Sequence, residues 1–341
     1  MLHRRLFISA ALAATVALGA GPARADTTLV INAFLPAQDP MNTKVLKPWA
    51  EAVEKATAGR VRVQIPPTSV AAPDQLWNSV RNGVVDGAYF FNGTVPNQLK
   101  LMQMPQLPFL GTSARANSVA FWRTYEKYFK PASEYKDVHL LALMVIPTGH
   151  IYSLKGPIES GNDIRGVKIW ALPGVPAKLM AMAGAGVVST PAAKMSEIVA
   201  GGMVDGFVGI PDMHAEAFKV IRYAKSATIV PGGISTPSFS LILNRQKWES
   251  LSPQDRDIIT KLSGEAFADR MAAFDEVEAA AHAQAAKEGL KYLPAPPQLV
   301  AELKKGADKM TAEWLAMAKA RGIDGQAAFA YYREQSASGS K

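Results

Sequence analysis

The side chains that could do chemistry in this chain are its histidines, serines and acids, and their spacing fits no catalytic motif. There are five histidines and no cysteine. The sequence has no G-x-S-x-G elbow, no H-E-x-x-H zinc motif and no P-loop. The string AGAG at 183–186 lacks the third glycine of a dinucleotide fingerprint, so a helix-ending turn is expected there. We therefore predict a binding protein and not an enzyme.

Three of the histidines, His139, His214 and His282, lie in stretches that resemble ordinary strands or helices. We expect surface or core roles for them. The sequence accordingly predicts no cofactor and no metal site. An exported hydrolase built from dispersed histidines and serines is the alternative from the enzyme class, and turnover of a bound compound would favour it.

A motif that occurs twice divides the chain into two similar units. QLWNSVRNGVVDGAYFFNG (Gln75–Gly93) and KMSEIVAGGMVDGFVGIPD (Lys194–Asp212) share V-D-G, with a glycine three residues before the aspartate. The copies lie about 120 residues apart, which is too far for a solenoid period. We predict two similar α/β lobes within one chain, with a ligand-binding cleft between them.

Strand and helix patterns alternate around both copies, which indicates parallel, doubly wound lobes. From Ser252 to Leu293 the pattern is almost unbroken helix, apart from a break near Gly264. This length is about 60 Å, more than one lobe, so the helix should run across both. A helix at Pro297–Arg321 and a polar tail ending in SASGSK follow. The predicted strands include Thr28–Phe34, Val61–Ile65, His139–Ile146, Val167–Leu172, Ala227–Pro231 and Phe239–Asn244.

The first 25 residues have the three-part order of a cleavable signal peptide. Arg4 and Arg5 form a positive start, Ile8–Ala20 is apolar, and Ala23-Arg24-Ala25 is an A-x-A cleavage site. The arginine pair also resembles a twin-arginine signal, and the general export route stays open beside it. The apolar run is too short for a permanent membrane anchor. We expect the mature chain to be a periplasmic protein.

Composition limits the partners of that mature chain. Removing residues 1–25 lowers the formal net charge from +8 to +5, because three arginines and no acid are lost. No cluster of Lys and Arg is interleaved with aromatic residues, so we expect no nucleic-acid partner. Without cysteine the exported protein has no disulfide and no lipid anchor, and a chain of this length must be stabilised by its core.

Several strings together resemble the solute-binding proteins of tripartite ATP-independent periplasmic (TRAP) transporters, the DctP-type family. The family pattern D-[IL]-[RK]-G-[LV]-K-[IL]-R-x-P, followed by S-E-V…VDGQENP, is similar to DIRGVKIWALPG and KMSEIVAGGMVDGFVGIPD here. The segments KPWAEAVEKATAGRVRVQIPP, MPQLPFLGT and NRQKWESLSPQDRDII also fit. The resemblance covers most of the mature chain.

This resemblance implies a type II-like periplasmic binding fold with crossover strands, a long spanning helix and hinge closure around a solute. It also implies membrane permease subunits as partners, and we expect a monomer. The expected boundaries are 26–147 plus 236–275 for lobe I, 148–235 plus 276–330 for lobe II, and 331–341 for a C-terminal tail.

The departures from the family pattern concern the ligand. The arginine that normally follows K-[IL] and pairs with a ligand carboxylate is Trp170 here. Twenty residues earlier, where some members have a second arginine, this chain has His150. The glutamine and asparagine of the family's GQEN are replaced within Phe207-Val208-Gly209. Neither tryptophan nor a mostly neutral histidine can replace the permanently charged fork of arginine.

We therefore predict a cleft lined by aromatic side chains with a few polar groups. Phe34 and Phe91 fall, by similarity, at strand ends that reach the cleft. The predicted solute is small and aromatic or largely apolar, and a weak organic acid held by His150 and Trp170 fits this description. The predicted ligand-binding residues are Trp170, His150, Phe91, Phe34, Asn92, Gly209, Asp212, Phe207, Ser238 and Phe239, with Thr236 as a further polar point.

Two other interpretations of these residues stay open. The aromatic side chains fit equally well as lobe core, with the ligand contacts elsewhere. A cationic or neutral solute in an aromatic cage, with Asp212 as counter-charge, is the second.

Overall fold

The computed structural model describes residues 27–339, so the predicted signal peptide at 1–25 lies outside the described residues. In the described part, no helix is both long and apolar enough to cross a membrane. The strands are β1 (Thr27–Ala33), β2 (Val61–Gln64), β3 (Gly87–Phe91), β4 (Val138–Val145), β5 (Ile151–Ser153), β6 (Lys168–Ala171), β7 (Gly186–Ser189), β8 (Gly206–Val208), β9 (Ser226–Ile229), β10 (Ser238–Asn244) and β11 (Lys291–Pro294).

The helices surround these strands. Short π-helical turns at Met41–Leu46 and Tyr125–Phe129 extend two of them. The α-helices are α1 (Lys47–Ala56), α2 (Leu76–Arg81), α3 (Ala114–Thr124), α4 (Val175–Met182), α5 (Met195–Ala200), α6 (Asp212–Ala217), α7 (Arg245–Ser250), α8 (Pro253–Leu262), α9 (Gly264–Asp269), α10 (Ala272–Lys287), α11 (Pro297–Ala320) and α12 (Gly325–Ser338).

The strands form two sheets with the same topology, and we call the parts built on them lobe I and lobe II. The first sheet has the order β2-β1-β3-β10-β4, and the second has the order β11-β9-β5-β8-β6-β7. In each, three strands pair in parallel, and a further strand, reached by the chain directly from the other sheet, inserts antiparallel beside the third. That crossover strand is β10 in lobe I and β5 in lobe II. The predicted fold class is confirmed.

The repeated V-D-G motif performs the same structural task in both lobes. The carboxylate of Asp86 accepts a hydrogen bond from the backbone N–H of Val30 in β1, at 2.8 Å. The carboxylate of Asp205 accepts one from the backbone N–H of Lys168 in β6, at 3.3 Å. Each aspartate therefore ties the start of the third strand of its sheet to the first.

The glycine of the motif admits the crossover strand. A Cβ added to Gly87 would lie 2.5 Å from the carbonyl oxygen of Ile242 in β10. A Cβ added to Gly206 would lie 2.5 Å from the carbonyl oxygen of Tyr152 in β5. Real Cβ atoms do not approach backbone oxygen this closely, so only glycine allows the two crossover strands to pair here.

Substituting Gly206 with alanine is therefore expected to destabilise the protein by about 2 kcal/mol, because the new methyl group forces β8 and β5 apart. The measurement is urea unfolding followed by circular dichroism. Gly186→Ala is the matched control, since a Cβ there meets its nearest atom at 3.6 Å, an ordinary contact. Equal stability of the two variants would contradict the proposed role of Gly206.

The predicted long helix is present as three segments. Its first break falls at Ser263 and Gly264, where φ of Gly264 is +56° and a Cβ would lie 2.7 Å from the ring of Trp122. The last segment, α10, carries Phe274 in a lobe I core and Ala285 in a lobe II core, so it spans both lobes as predicted. The helix ends at Lys287, and the residues up to Leu293 that were expected to be helical instead form β11.

The C-terminal end differs from the predicted polar tail. Asp324 caps α12 by accepting from the N–H of Ala327 at 3.0 Å, and Tyr332 on this helix is fully buried. The segment 331–341 is therefore helical up to Ser338. Burial of Tyr332 stabilises this amphipathic helix, although the last residues of the chain are polar.

Candidate ligand-binding site

Three phenylalanines converge in lobe I at the carboxyl ends of the parallel strands. Phe34 follows β1, Phe91 ends β3, and Phe239 lies opposite Phe91 on the antiparallel β10. The ring of Phe239 is 5.4 Å from that of Phe91 and 6.4 Å from that of Phe34. Tyr89 lies beneath, stacked 5.1 Å from Phe239. Phe34 and Phe91 are half-buried and Phe239 is 6% exposed, so the cluster presents two ring surfaces on a buried base.

The polar residues predicted beside this cluster are engaged inside lobe I. Asn92 and Ser238 are fully buried, and the amide of Asn92 donates to Ser238 Oγ at 3.1 Å. Ser240 Oγ donates to Asn92 Oδ1 at 2.6 Å, and Ser238 Oγ donates to the carbonyl of Met102 at 2.8 Å. Thr236 Oγ1 donates to the carbonyl of Pro105. These bonds hold β3 and β10 together, and ligand contact by Asn92 and Ser238 stays a prediction.

In lobe II the predicted aromatic residues lie side by side on one face of the sheet. The strand register places Trp170 beside Phe207 and Phe207 beside Tyr152. Phe207 stacks on Tyr152 at 4.4 Å, and both are fully buried. Trp170 is also fully buried, and its indole N–H donates to Thr190 Oγ1 at 2.9 Å. Trp170 and Phe207 thus form lobe II core in this structure, and their contact with a solute stays a prediction.

Gly209 is required by the conformation of the backbone at this position. Its φ is +92°, a conformation that favours glycine, and an added Cβ would lie 2.7 Å from the ring of Pro176. This tight turn carries the chain from β8 into α6 and so brings Asp212 to the first position of that helix.

Asp212 is the centre of a buried polar network. Its carboxylate, fully buried, accepts from the hydroxyl of Tyr152 at 2.5 Å and from that of Tyr292 at 2.8 Å. Nδ1 of His282, on α10, lies 2.9 Å from Oδ2 of Asp212. Burial and the charge of Asp212 raise the pKa of both tyrosines, which keeps them as hydroxyl donors.

Glu278 lies next to Asp212 and caps α6. Its two carboxylate oxygens accept from the backbone N–H groups of Asp212 and Met213, each at 2.9 Å. Burial, with the nearby charge of Asp212, raises the pKa of Glu278 to about 7. A carboxylate at a helix N-terminus is electrostatically favourable, but here it shares its surroundings with a second carboxylate.

His150 borders the same network. Its ring lies 6.0 Å from that of Tyr152, 6.2 Å from that of Tyr292 and 6.4 Å from that of His282. Nδ1 of His150 is buried and has no hydrogen-bond partner. Burial lowers the pKa of His150, and the charge of Asp212 opposes this shift in part.

Two contacts place this network beside the aromatic cluster of lobe I. Met213, adjacent to Asp212, belongs to the same apolar cluster as Phe34, Phe91 and Phe239. One helical position further on, His214 Nε2 lies 3.9 Å from Oδ2 of Asp39, in the loop after β1, and both side chains are buried. These contacts place the start of α6, and with it Asp212, next to the aromatic cluster of lobe I. That the predicted residues of both lobes line one ligand cleft stays a prediction.

Four residues of the network were absent from the predicted site: Tyr152, Tyr292, His282 and Glu278. Sequence spacing could have indicated three of them, Tyr152 from its distance to His150, and Glu278 and His282 from their distance to each other. Tyr152 follows His150, the residue just before β5, by two positions, and side chains two positions apart in an extended chain lie on the same side. Glu278 and His282 are four residues apart and share one face of α10. Which helix face meets Asp212 depends on how α10 crosses the lobes, and no local pattern specifies that.

Comparison with known proteins decides the family. The model of the DctP family, bacterial extracellular solute-binding protein family 7, matches residues 31–317. The chain belongs to this family. The resemblance of the sequence motifs is thereby confirmed, and the protein is a TRAP-type solute-binding protein that binds a small-molecule ligand and works with membrane permease subunits.

Relatives of this DctP-family protein extend over its whole length. A Comamonas testosteroni protein named outer membrane transporter protein TsaT is 44% identical over 337 residues, 99% of both chains. A Bordetella bronchiseptica TRAP periplasmic solute-binding protein, solved with (R)- and (S)-mandelate, superposes with a TM-score of 0.86 at 31% identity and covers 92% of this chain and 99% of its own.

A second solved structure, a marine metagenome TRAP solute-binding protein from an unidentified microbe, was crystallised with 3-hydroxybenzoate. It is described as specific for aromatic acid ligands, and it superposes with a TM-score of 0.83 at 28% identity. It covers 92% of this chain and 99% of its own. The family model and both structures describe solute-binding proteins, not enzymes.

Proposed function

We propose that this protein captures a small aromatic acid between its two lobes and delivers it to a TRAP permease. The observation that carries the proposal is the cluster of Phe34, Phe91 and Phe239, which offers ring surfaces at the carboxyl ends of the lobe I strands. Two similar structures contain mandelate and 3-hydroxybenzoate, both small aromatic acids. An aromatic ring stacked in such a cluster gains about 0.5–1.5 kcal/mol per pair beyond its area burial.

A ligand screen tests the proposal directly. The purified mature protein is mixed with mandelate, 3-hydroxybenzoate, succinate or benzylamine, and its thermal unfolding is recorded. At 100 times Kd a ligand stabilises the folded state by about 2.7 kcal/mol, so the aromatic acids should raise Tm by several degrees. A shift with succinate alone would overturn the aromatic-acid proposal.

The contribution of the aromatic cluster can be measured by substitution. Phe91→Ala is expected to weaken binding of the preferred aromatic acid by about 2 kcal/mol, roughly thirtyfold, since both stacking and apolar contact are lost. Isothermal titration calorimetry gives the affinities, and circular dichroism verifies the fold. Tyr223→Ala is the control, because Tyr223 is a surface aromatic that is 40% exposed on lobe II. Unchanged affinity in Phe91→Ala would remove this ring from the site.

A cationic solute is the second candidate, and one observation favours it. In the described part of the chain, Asp212 and Glu278 form no ion pair with Lys or Arg, which leaves two carboxylates beside the cleft. A positively charged ligand would be attracted to them, with the phenylalanines as a cation–π surface. A Tm shift with benzylamine and none with the aromatic acids would select this candidate.

The remaining predictions complete the proposal. We infer a periplasmic location, an N-terminus at residue 26 after cleavage of the signal peptide, and binding without turnover. The proposed lobes are 26–147 plus 236–275 for lobe I and 148–235 plus 276–330 for lobe II, except that α12 (Gly325–Ser338) moves to lobe I because it packs against α3. N-terminal sequencing of the protein from a periplasmic extract tests the first two inferences, and chromatography of the solute after incubation tests the third.

A further inference from the structure

Three side chains that can ligate a metal converge in the polar network of lobe II. His150, Asp212 and His282 each offer one ligand atom, and these atoms lie within 4.8 Å of one another. They come from the residue before β5, the start of α6 and the middle of α10, so the fold and not a local motif assembles them. The side chain of His282 is 44% exposed, which leaves an entry path from solvent.

The unpartnered nitrogen of His150 is the second observation. Buried polar atoms in native proteins are normally hydrogen-bonded, and Nδ1 of His150 is buried without a partner. An imidazole nitrogen that has no hydrogen-bond partner can serve as a metal ligand. A neutral imidazole is the form that binds metal ions.

The tyrosines give the site an outer shell. The hydroxyls of Tyr152 and Tyr292 donate one to each oxygen of the Asp212 carboxylate and fix its orientation. Hydrogen bonds of this kind orient metal-ligating carboxylates, and their loss typically lowers metal affinity 10–100-fold.

The carboxylates beside the cleft favour binding of a cation. An acidic solute would approach Asp212 and Glu278, and neither carboxylate is paired with Lys or Arg within residues 27–339. The family's usual arginine is Trp170 in this chain, with its indole N–H already bonded to Thr190. A bound divalent cation would neutralise the two carboxylates and offer a direct ligand position to the anionic group.

We propose that His150, Asp212 and His282 form a site for a divalent transition-metal ion of the Zn²⁺ type. Two imidazoles and one carboxylate suit this class of ion, and three protein ligands leave a fourth tetrahedral position open. This part of the proposal rests on the aromatic-acid function proposed above: the open fourth position faces the anionic group of the solute. The proposal replaces the expectation from sequence that no metal site is present.

Binding of Zn²⁺ alone is the first test. Mature protein is stripped with a chelator, dialysed against Zn²⁺, and its metal content is measured by mass spectrometry. The wild type should hold one equivalent, and His150→Asn and His282→Asn should bind about 100-fold more weakly. His139→Asn is the control, because His139 lies in lobe I and stacks on Trp248 at 3.9 Å. No bound Zn²⁺ in the wild type, or equal binding by all variants, overturns the site.

The second measurement tests the role of the ion and separates it from the proposed function. Affinity for the preferred aromatic acid should fall at least tenfold when a chelator replaces Zn²⁺. If the acid binds equally well with chelator, the metal's role is wrong while the aromatic-acid function stands. If no aromatic acid binds in either condition although Zn²⁺ is held by His150 and His282, the proposed function fails and the metal site remains.

Discussion

Asp212→Ala is expected to destabilise the folded protein by about 3 kcal/mol. The carboxylate accepts the hydroxyls of Tyr152 and Tyr292 and lies 2.9 Å from Nδ1 of His282. Alanine leaves the Tyr152 hydroxyl buried without an acceptor, and an unmade buried hydrogen bond costs about 1–3 kcal/mol for each polar group. Urea unfolding in the presence of a chelator gives the free energy of unfolding.

Asp308→Ala is the matched control for this substitution. Asp308 pairs with Lys304, their side chains are 66% and 64% exposed, and exposed pairs contribute at most about 1 kcal/mol. Tyr152→Phe should fall between the two variants, since it removes one donor and keeps the ring stacked on Phe207. A loss in Asp212→Ala no larger than that in Asp308→Ala would show that the network does not stabilise the fold.

Glu278 should make the free energy of unfolding fall as the pH rises from about 4.5 to 7. Its pKa is raised in the folded state to about 7 from an ordinary value of 4.5. The folded protein therefore holds a proton that the unfolded chain has released, and stability decreases with pH in that window. A shift of this size corresponds to about 3 kcal/mol.

The variant Glu278→Gln isolates this contribution. Its free energy of unfolding, relative to the wild type, should rise by about 3 kcal/mol between pH 4.5 and pH 8, because glutamine does not titrate. His150 and His214, whose lowered pKa values act in the opposite direction, are common to both proteins and cancel in the difference. Glu276→Gln, on the exposed side of the same helix, should show no such trend. A flat difference for Glu278→Gln would refute the raised pKa.

The internal repeat made the architecture predictable from sequence. Two copies of V-D-G imply two lobes, and the structure shows why both copies keep Asp and Gly: Asp86 and Asp205 each bond the first strand, and Gly87 and Gly206 admit the crossover strand. Such requirements are local, so they are visible in the sequence. The boundaries at the C-terminus were harder to predict from the sequence, because α12 depends on burial of Tyr332 against helices that are distant along the chain.

The site was predictable only where strand ends define it. Phe34, Phe91 and Phe239 converge because parallel strands end at one edge of a sheet, a rule that needs no coordinates. Trp170 follows the family position, yet its strand face lies in lobe II core. The convergence of Tyr292 and His282 on Asp212 depends on the path of α10 and β11, which bring together residues up to 80 positions apart.

The crossover strands also determine the order in which the protein can assemble. In lobe I, β3 and β4 are synthesised early, but the strand that belongs between them is β10, which follows every strand of lobe II except β11. Contacts between residues so distant along the chain form slowly. An N-terminal segment that ends before β10 therefore cannot complete the first sheet, even after five of the six strands of lobe II have been made.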